Sequence, residues 1–351
     1  MTWTPDYPDG RPMATRRLPA HDHGIVLKYG DAPDGSDLYG ARDPWVFEAD
    51  GMYYLHYDGG GEQGWLCVLA TSPDGVNWTK QGARLQMGAP GTDDARSSSY
   101  GSTYYDGSQW HMFYLGTPNT SPAPDRIPAF PYLTMKARGD SAAGPWHKQY
   151  DVVPFRLKPG SYFQDTASPG HIIKQGDEYL QFFSASTTEG GSIKRTLAIA
   201  RTRDLNATWT PDPEPILSLD EQIENSSLYF EPESQQWFLF TNHVGIEPLA
   251  SSSSAAPAVV EYTDAVWVYW SSDLNHWNAQ DKAVVLDRNN CHWSPRIVGL
   301  PSVIKIGARL ALFYDGRDDA RVGDQRQDVG LSWHMQRDIG LAWLDLPLRL
   351  G

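Results

Sequence analysis

The sequence predicts an all-β protein, a five-bladed β-propeller with four-stranded antiparallel blades around a central cavity. Three observations predict it: one strand pattern recurs five times, aromatic residues accompany abundant Gly and Pro, and helical periodicity is nearly absent. The 351 residues include 14 Trp, 18 Tyr, 32 Gly and 26 Pro, the profile of many short strands joined by tight turns.

Each repeat opens with a short apolar strand, a turn and a strongly aromatic strand. The five hairpins are 44–60 (PWVFEADGMYYLHYDGG), 101–116 (GSTYYDGSQWHMFYLG), 169–186 (PGHIIKQGDEYLQFFSAS), 226–243 (SSLYFEPESQQWFLFTNH) and 301–317 (PSVIKIGARLALFYDGR). Asp50-Gly51 and Asp106-Gly107 are hairpin-turn dipeptides, because both central positions of a two-residue turn favour residues that tolerate positive φ. Four hairpins continue into a third strand and a turn ending in Trp, at Trp78, Trp146, Trp209 and Trp277; the fifth closes with 339–348 (IGLAWLDLPL). Hairpin, third strand, turn and fourth strand make one blade, so residues 41–351 are assigned to a single five-bladed catalytic domain. Residues 1–40, rich in Pro, Asp and Gly, are assigned to an N-terminal arm packing on the propeller; whether it adds a strand to the last blade is open. The segment 246–262 (IEPLASSSSAAPAVVEY) reads as a flexible loop of the fourth blade, and the turn 72–78 (SPDGVNW) as structural.

Composition narrows the function. With 43 acidic and 29 basic residues the formal charge is −14, which makes a nucleic-acid backbone a poor partner. No apolar stretch approaches the ~20 residues of a membrane span, so no membrane partner is expected. Cys67 and Cys291 are far apart, which leaves no disulfide framework or zinc site. Phosphate-loop and nucleophile-elbow motifs are missing. No signal peptide is visible at the start, so a cytoplasmic location is expected, or a secreted one if a leader has been removed. Nothing indicates the oligomeric state.

In a propeller the innermost strand of each blade starts near the axis, and residues just ahead of it crowd around one cavity. Asp43 (in ARDP) holds this position in blade one, and Glu224 (in IENSS) in blade four. Asp165 (in FQDTASP) lies slightly upstream of it in blade three. Such a set suits glycosidic cleavage, in which one carboxylic acid protonates the departing oxygen and one carboxylate activates water or attacks the sugar carbon. Structural roles compete: Asp before Pro also starts turns, and Glu224-Asn225 also serves as a polar lead-in. Arg42, Tyr100, Ser168, His243, His292, Trp293 and Arg317 are candidate substrate-binding residues. Arg42 adjoins Asp43 and is placed to bind a sugar hydroxyl or lower the pKa of that carboxyl.

Through Arg-Asp-Pro before an aromatic hairpin, the fivefold repeat and the Glu leading into blade four, the chain resembles the furanosidase-type propeller glycoside hydrolases of families 32, 43, 68 and 117. The resemblance covers most of the chain, on short motifs. By the family 43 pattern it implies Asp43 as general base, Asp165 as the residue that tunes and orients the acid, Glu224 as general acid, and inversion. It implies exo-acting removal of a terminal sugar, a furanoside, xyloside or similar, from an oligosaccharide. Asn225-Ser226 stand where family 43 usually has Gly-Pro, and the Glu-Cys-Pro and Asn-Asp-Pro-Asn motifs of family 32 are missing, so the assignment stops at the group of families. No cofactor is required. Related propellers place a central His near a bound ion or water, which leaves a structural or central Ca2+, and a part for His243 or His292, open. A non-catalytic carbohydrate-binding propeller would not need Asp43 together with Glu224. A glycoside phosphorylase would need a basic phosphate-binding pair, for which Arg42 with Arg317 or Arg296 is the candidate.

Overall fold

The structure, a computed structural model, describes residues 14–248, 259–318 and 334–349. Their regular structure is almost entirely β, with a short 3-10 turn at Leu219–Glu221. Strand β1 (His21–Leu27) comes first. A first unit follows: β2 (Gly40–Ala49), β3 (Met52–Gly61), β4 (Gly64–Ser72) and β5 (Thr79–Ala83), each antiparallel to the one before. The second unit is β6 (Ser97–Tyr105) and β7 (Trp110–Thr117), then the inserted pair β8 (Asn119–Thr120) and β9 (Pro128–Ala129), then β10 (Tyr132–Gly139) and β11 (Trp146–Lys148). The third is β12 (Thr166–Gln175), β13 (Glu178–Glu189), β14 (Ser192–Thr202) and β15 (Thr210–Pro211). The fourth is β16 (Ile223–Glu231), β17 (Gln236–Pro248), β18 (Val259–Ser271) and β19 (Lys282–Asp287).

In the last unit β20 (Ser302–Ile306), β21 (Arg309–Gly316) and β22 (Asp338–Asp345) run as an antiparallel meander, and β1 supplies the fourth strand, from His21 opposite Trp343 to Leu27 opposite Ile339. Short parallel pairings join the first three units: Trp65 and Leu66 of β4 lie opposite Ser97 and Ser98 of β6, and Tyr132 and Leu133 of β10 opposite Thr166 and Ala167 of β12. The fourth and fifth units remain separate four-stranded sheets.

The aromatic second strands explain how the units are held. Successive side chains of a strand point to opposite faces. In β7, Met112 and Tyr114 face the first unit and join Cys67 and Leu85, whereas Phe113 faces the third and joins Phe183 and Ala198. In β13, Leu180 and Phe182 meet Leu239 and Trp267 of the fourth unit, and Phe183 turns back to the second. In β17, Phe238 and Phe240 join Leu310 and Leu312 of the fifth unit. In β21, Ala311 and Phe313 join Val46, Leu55 and Val68 of the first. The packing therefore returns to its starting point. A sheet buried on both faces has no polar side to alternate with, which is why these strands read as apolar runs rather than as a polar–apolar alternation.

The Trp that ends each repeat is a wedge between units. Trp78 meets Phe313 edge-on at 5.7 Å, Trp146 meets His56 at 5.8 Å, Trp209 meets Phe113 at 5.3 Å, and Trp277 meets Phe182 at 6.1 Å between ring centres. In each case the partner belongs to the second strand of the preceding unit. The fifth unit lacks this Trp, and Leu348 packs into the cluster shared with the fourth.

Two local expectations change. Asp50 and Gly51 have φ of 52° and 74°, as a two-residue turn requires, but Asp106 is not left-handed. The loop 106–109 is instead a four-residue turn in which the Asp106 carboxylate accepts hydrogen bonds from the Ser108 and Gln109 amides, at 2.7 Å each. The ends of segment 246–262 are paired strand, Ile246 opposite Glu261 and Pro248 opposite Val259, and not loop; its middle, 249–258, lies outside the described residues. In the turn 72–78, Asp74 accepts from the Val76 and Asn77 amides, which accounts for its sequence structurally.

Trp209 is 1% exposed, and its replacement leaves a void between two units that cannot collapse independently. Trp209→Ala is expected to destabilise the protein by about 3–5 kcal/mol, and Trp209→Phe by clearly less. Thermal unfolding followed by circular dichroism checks the order of the two midpoints.

Candidate active site

The site forms where the first strands of the first four units break their ladders. Register shifts fall between Arg42 and Trp45 in β2, Ser98 and Gly101 in β6, Ser168 and His171 in β12, and Glu224 and Ser227 in β16. Such bulges re-aim side chains and end pairing. At two of them a non-glycine residue is left-handed: Asp43 at φ 52° and Asn225 at φ 61°. The bulges also correct the alignment of the two acids. The last paired residue before each break is Arg42 in the first unit and Glu224 in the fourth, so Glu224 is the counterpart of Arg42, and Asn225 that of Asp43.

These breaks open on a cavity of about 390 Å³. Of the residues expected from sequence, Arg42, Asp43, Tyr100, Ser168 and Glu224 line it. Asp165, His243, His292, Trp293 and Arg317 are not among its described lining residues. Each has a physical reason. Asp165 precedes β12, and its carboxylate accepts the Thr188 hydroxyl at 2.7 Å; Ser168, three residues on, takes the cavity position. His243 follows the lining residue Asn242 in β17, so alternation turns it to the other face, where its ring lies flat on Trp267 at 3.8 Å. His292 and Trp293 are drawn toward the arm: the His292 amide donates to Asp22 at 2.9 Å, and the Trp293 indole donates to the Tyr314 hydroxyl, which donates to Asp22, both at 2.7 Å. Arg317 is buried beside Ser294, whose hydroxyl accepts its amide at 2.8 Å.

Several lining residues escaped the sequence reading: Asp58, Tyr132, Arg195, Asn242, Tyr262, His334 and Arg337. Asp58 had a signal. It ends the second strand of the first hairpin, directly opposite Arg42, in the same YDG triplet that carries Asp315 in the fifth repeat. Asn242, opposite Glu224, holds the matching position in the fourth. His334 and Arg337, just before β22, have no repeat counterpart to reveal them.

Charges in the cavity come in linked sets. Arg42 Nε lies 3.4 Å from Asp43 and 3.7 Å from Asp58, its NH1 is 2.8 Å from His334 Nδ1, and its guanidinium sits over the Trp65 ring at 4.2 Å. Asp315 stands behind Asp43, accepting its amide at 3.0 Å and the Arg337 guanidinium at 2.7 Å. Arg195 pairs with Glu224 at 2.7 Å, and the Thr241 hydroxyl donates to the Glu224 carbonyl at 2.7 Å. The Tyr100 hydroxyl ties three units together, with the Pro169 carbonyl at 3.2 Å and the Asn225 side-chain oxygen at 3.3 Å.

Burial raises the Asp43 carboxyl above its ordinary value; Arg42 opposes this and Asp315 adds to it. Asp58 is raised much further, by burial and then by the neighbouring Asp43 charge. His334 is held well below its usual range by burial and by Arg42, Arg337 and Arg195, so it is a neutral imidazole. Because Arg42 donates to its Nδ1, the His334 proton resides on Nε2. Among the described residues, no group of three or more His, Cys, Asp or Glu side chains is arranged to hold a metal ion.

No family model matches the sequence, and no curated protein matches it either. Solved structures do. The chain superposes on a family 117 glycoside hydrolase of the marine bacterium Zobellia galactanivorans with a TM-score of 0.62 and 14% identity, over 95% of this chain and 93% of the other. It superposes on the catalytic domain of the GH62 alpha-L-arabinofuranosidase of Coprinopsis cinerea with a TM-score of 0.61 and 13% identity, over 93% and 97%. A third match is an exo-beta-1,3-galactanase of Phanerochaete chrysosporium solved with galactose, with a TM-score of 0.59 and 14% identity, over 93% of this chain and 65% of that one. At these identities the likeness is one of fold, and the fold is that of the propeller glycoside hydrolases which the sequence resembles.

The left-handed backbone at Asn225 gives a test of how the cavity is shaped. Asn225→Gly keeps that conformation accessible, whereas Asn225→Val forces a β-branched residue into it at a cost of about 1–2 kcal/mol. Asn225→Val is expected to melt below Asn225→Gly in matched thermal scans.

Proposed function

We propose that the chain is a glycoside hydrolase, a five-bladed propeller whose blades are the five antiparallel units, that removes a terminal sugar from an oligosaccharide with inversion. One observation carries the reading. Asp43 and Glu224, from strands far apart in sequence, line one cavity, and their side chains are comparably accessible, 22% and 24% exposed. Two accessible carboxylic groups in one hollow are what glycosidic cleavage needs, and the cavity volume falls in the range of small-molecule sites.

Asp43 is the general base and Glu224 the general acid. Asp165 is not carried forward, because its carboxylate is engaged by Thr188 away from the cavity. To deliver a proton, Glu224 has to give up its ion pair with Arg195, which couples acid catalysis to a substrate that displaces that guanidinium. Tyr100, Tyr132 and Tyr262 supply ring faces and hydroxyls to a sugar. Inversion further requires the Asp43 and Glu224 carboxyl groups to stand about 6.5–9.5 Å apart with a water between.

Turnover of nitrophenyl glycosides and short oligosaccharides, with the anomer of the first product read by NMR, tests this reading. Glu224→Gln and Asp43→Asn should each lose ~10²–10⁴ of the rate. Glu224→Gln should recover on substrates with strongly activated leaving groups, which need no acid, and Asp43→Asn should not. Full turnover by Glu224→Gln on an unactivated substrate would exclude it as the acid. Binding without turnover would instead mark a carbohydrate-binding propeller. Dependence on inorganic phosphate would mark a phosphorylase served by the arginines of the cavity.

A further inference from the structure

We propose that Asp58 is the positioning acid of this site: it keeps its proton and donates it as a hydrogen bond to Asp43, so that Asp43 alone of the pair meets the substrate as a carboxylate. The inference rests on the reading of Asp43 as base and adds a residue to it.

The arrangement of charge leads there. Among the described residues, three carboxyl groups at this end of the cavity, Asp43, Asp58 and Asp315, meet two guanidinium groups, Arg42 and Arg337. Asp315 takes Arg337 at 2.7 Å, and Asp43 and Asp58 share the single Arg42 Nε at 3.4 and 3.7 Å. That Nε is buried and forms no hydrogen bond of its own, so it acts on both carboxyls only as a charge. His334 adds no positive charge, being neutral. Two carboxylates held against one guanidinium in a buried pocket do not both ionise; one retains a proton and bridges to the other.

Geometry decides which. Asp58 is 1% exposed and lies at the end of β3, facing Arg42 across the hairpin. Its Oδ1 accepts the Tyr100 amide, which leaves Oδ2, the oxygen nearer Arg42, for the proton. Among its neighbours, Cys67, opposite it in β4, is pushed up by burial and by Asp58 itself, with Arg84 opposing, and the Tyr100 hydroxyl is pushed up by burial and by Asp43. Asp43 is the more accessible partner and stands beside both arginines. Hydrogen bonding to Asp58 lowers the Asp43 carboxyl and raises Asp58, so the proton belongs on Asp58.

The test combines two variants and two readouts. Asp58→Asn keeps a donor of the same shape and removes only the proton. If Asp58 is protonated while the enzyme works, the acidic limb of kcat/KM against pH stays where it is in the wild type. Asp58→Ala removes the donor, and loss of a hydrogen bond to the charged form raises the Asp43 pKa, so the acidic limb should move to higher pH. A purely structural role would lower the rate at every pH without moving that limb. An acidic limb that falls to lower pH in Asp58→Asn would show that Asp58 had been a carboxylate, and would overturn the proposal. An unmoved limb in Asp58→Ala would overturn it as well.

Infrared difference spectra at neutral pH give the second readout, free of any turnover: the wild type should show the stretch of a protonated carboxyl that Asp58→Asn lacks. No such band at pH 7 would overturn the proposal. A band present in a protein that hydrolyses no glycoside would uphold the proton on Asp58 and reject the function.

Discussion

The structure depends on second strands that are buried on both faces. A sheet with one apolar face can rest on a single partner; β7, β13, β17 and β21 each need two. That requirement turns a row of antiparallel units into a cyclic arrangement, because the last such strand, β21, must find a neighbour and finds it in the first unit through Phe313 and Ala311. The Trp wedges follow the same logic, each filling the seam behind its own unit. Burial of large rings on this scale is the dominant favourable term available to the chain, and here it is spread over several seams rather than gathered in one core.

The cavity exists because the ladders fail in register with one another. The first strands of four units break near one end, and at the break backbone and side chains turn from sheet pairing toward the hollow. The polar groups that collect there are not interchangeable. Arg42 and Glu224 stand at matching positions with opposite charge, and each is answered by the opposite sign: Asp43 and Asp58 of its own hairpin for the one, Arg195 of the third unit for the other. Two ends of one hollow thus carry acids in different surroundings, one crowded by other carboxyls and one facing a guanidinium. In the proposed reaction this asymmetry would let chemically similar side chains take different parts.

How much of this was legible follows from what repeats. The hairpins, the Trp-ended turns and the all-β class were legible because each recurs, and recurrence separates a structural signal from an accident of composition. Asp43, Glu224, Arg42, Tyr100 and Ser168 were legible because they sit at strand starts, which the repeat locates. Asp58 was hidden in plain sight: counting back from the turn at Asp50-Gly51 pairs Ala49 with Met52 and brings Asp58 to the level of Arg42-Asp43, where the bulge sets it opposite Arg42. Arg195 lies on a third strand, where the pattern carries no cavity marker, and His334 and Arg337 follow a stretch without strand signal. Asp165 misled because it lies three residues short of the break in β12, where Ser168 takes the cavity position. His243 misled because a one-residue step along a strand reverses the face.

The fifth unit is built from segments far apart in sequence, since β1 pairs with β22 across more than three hundred residues of chain. A ribosome makes the first of these strands long before the second, at roughly 5–20 residues per second. For a time on the order of tens of seconds the nascent chain therefore carries an outer strand whose hydrogen-bonding partner has not been synthesised. The final seam is a clasp that cannot fasten before β22 has been made.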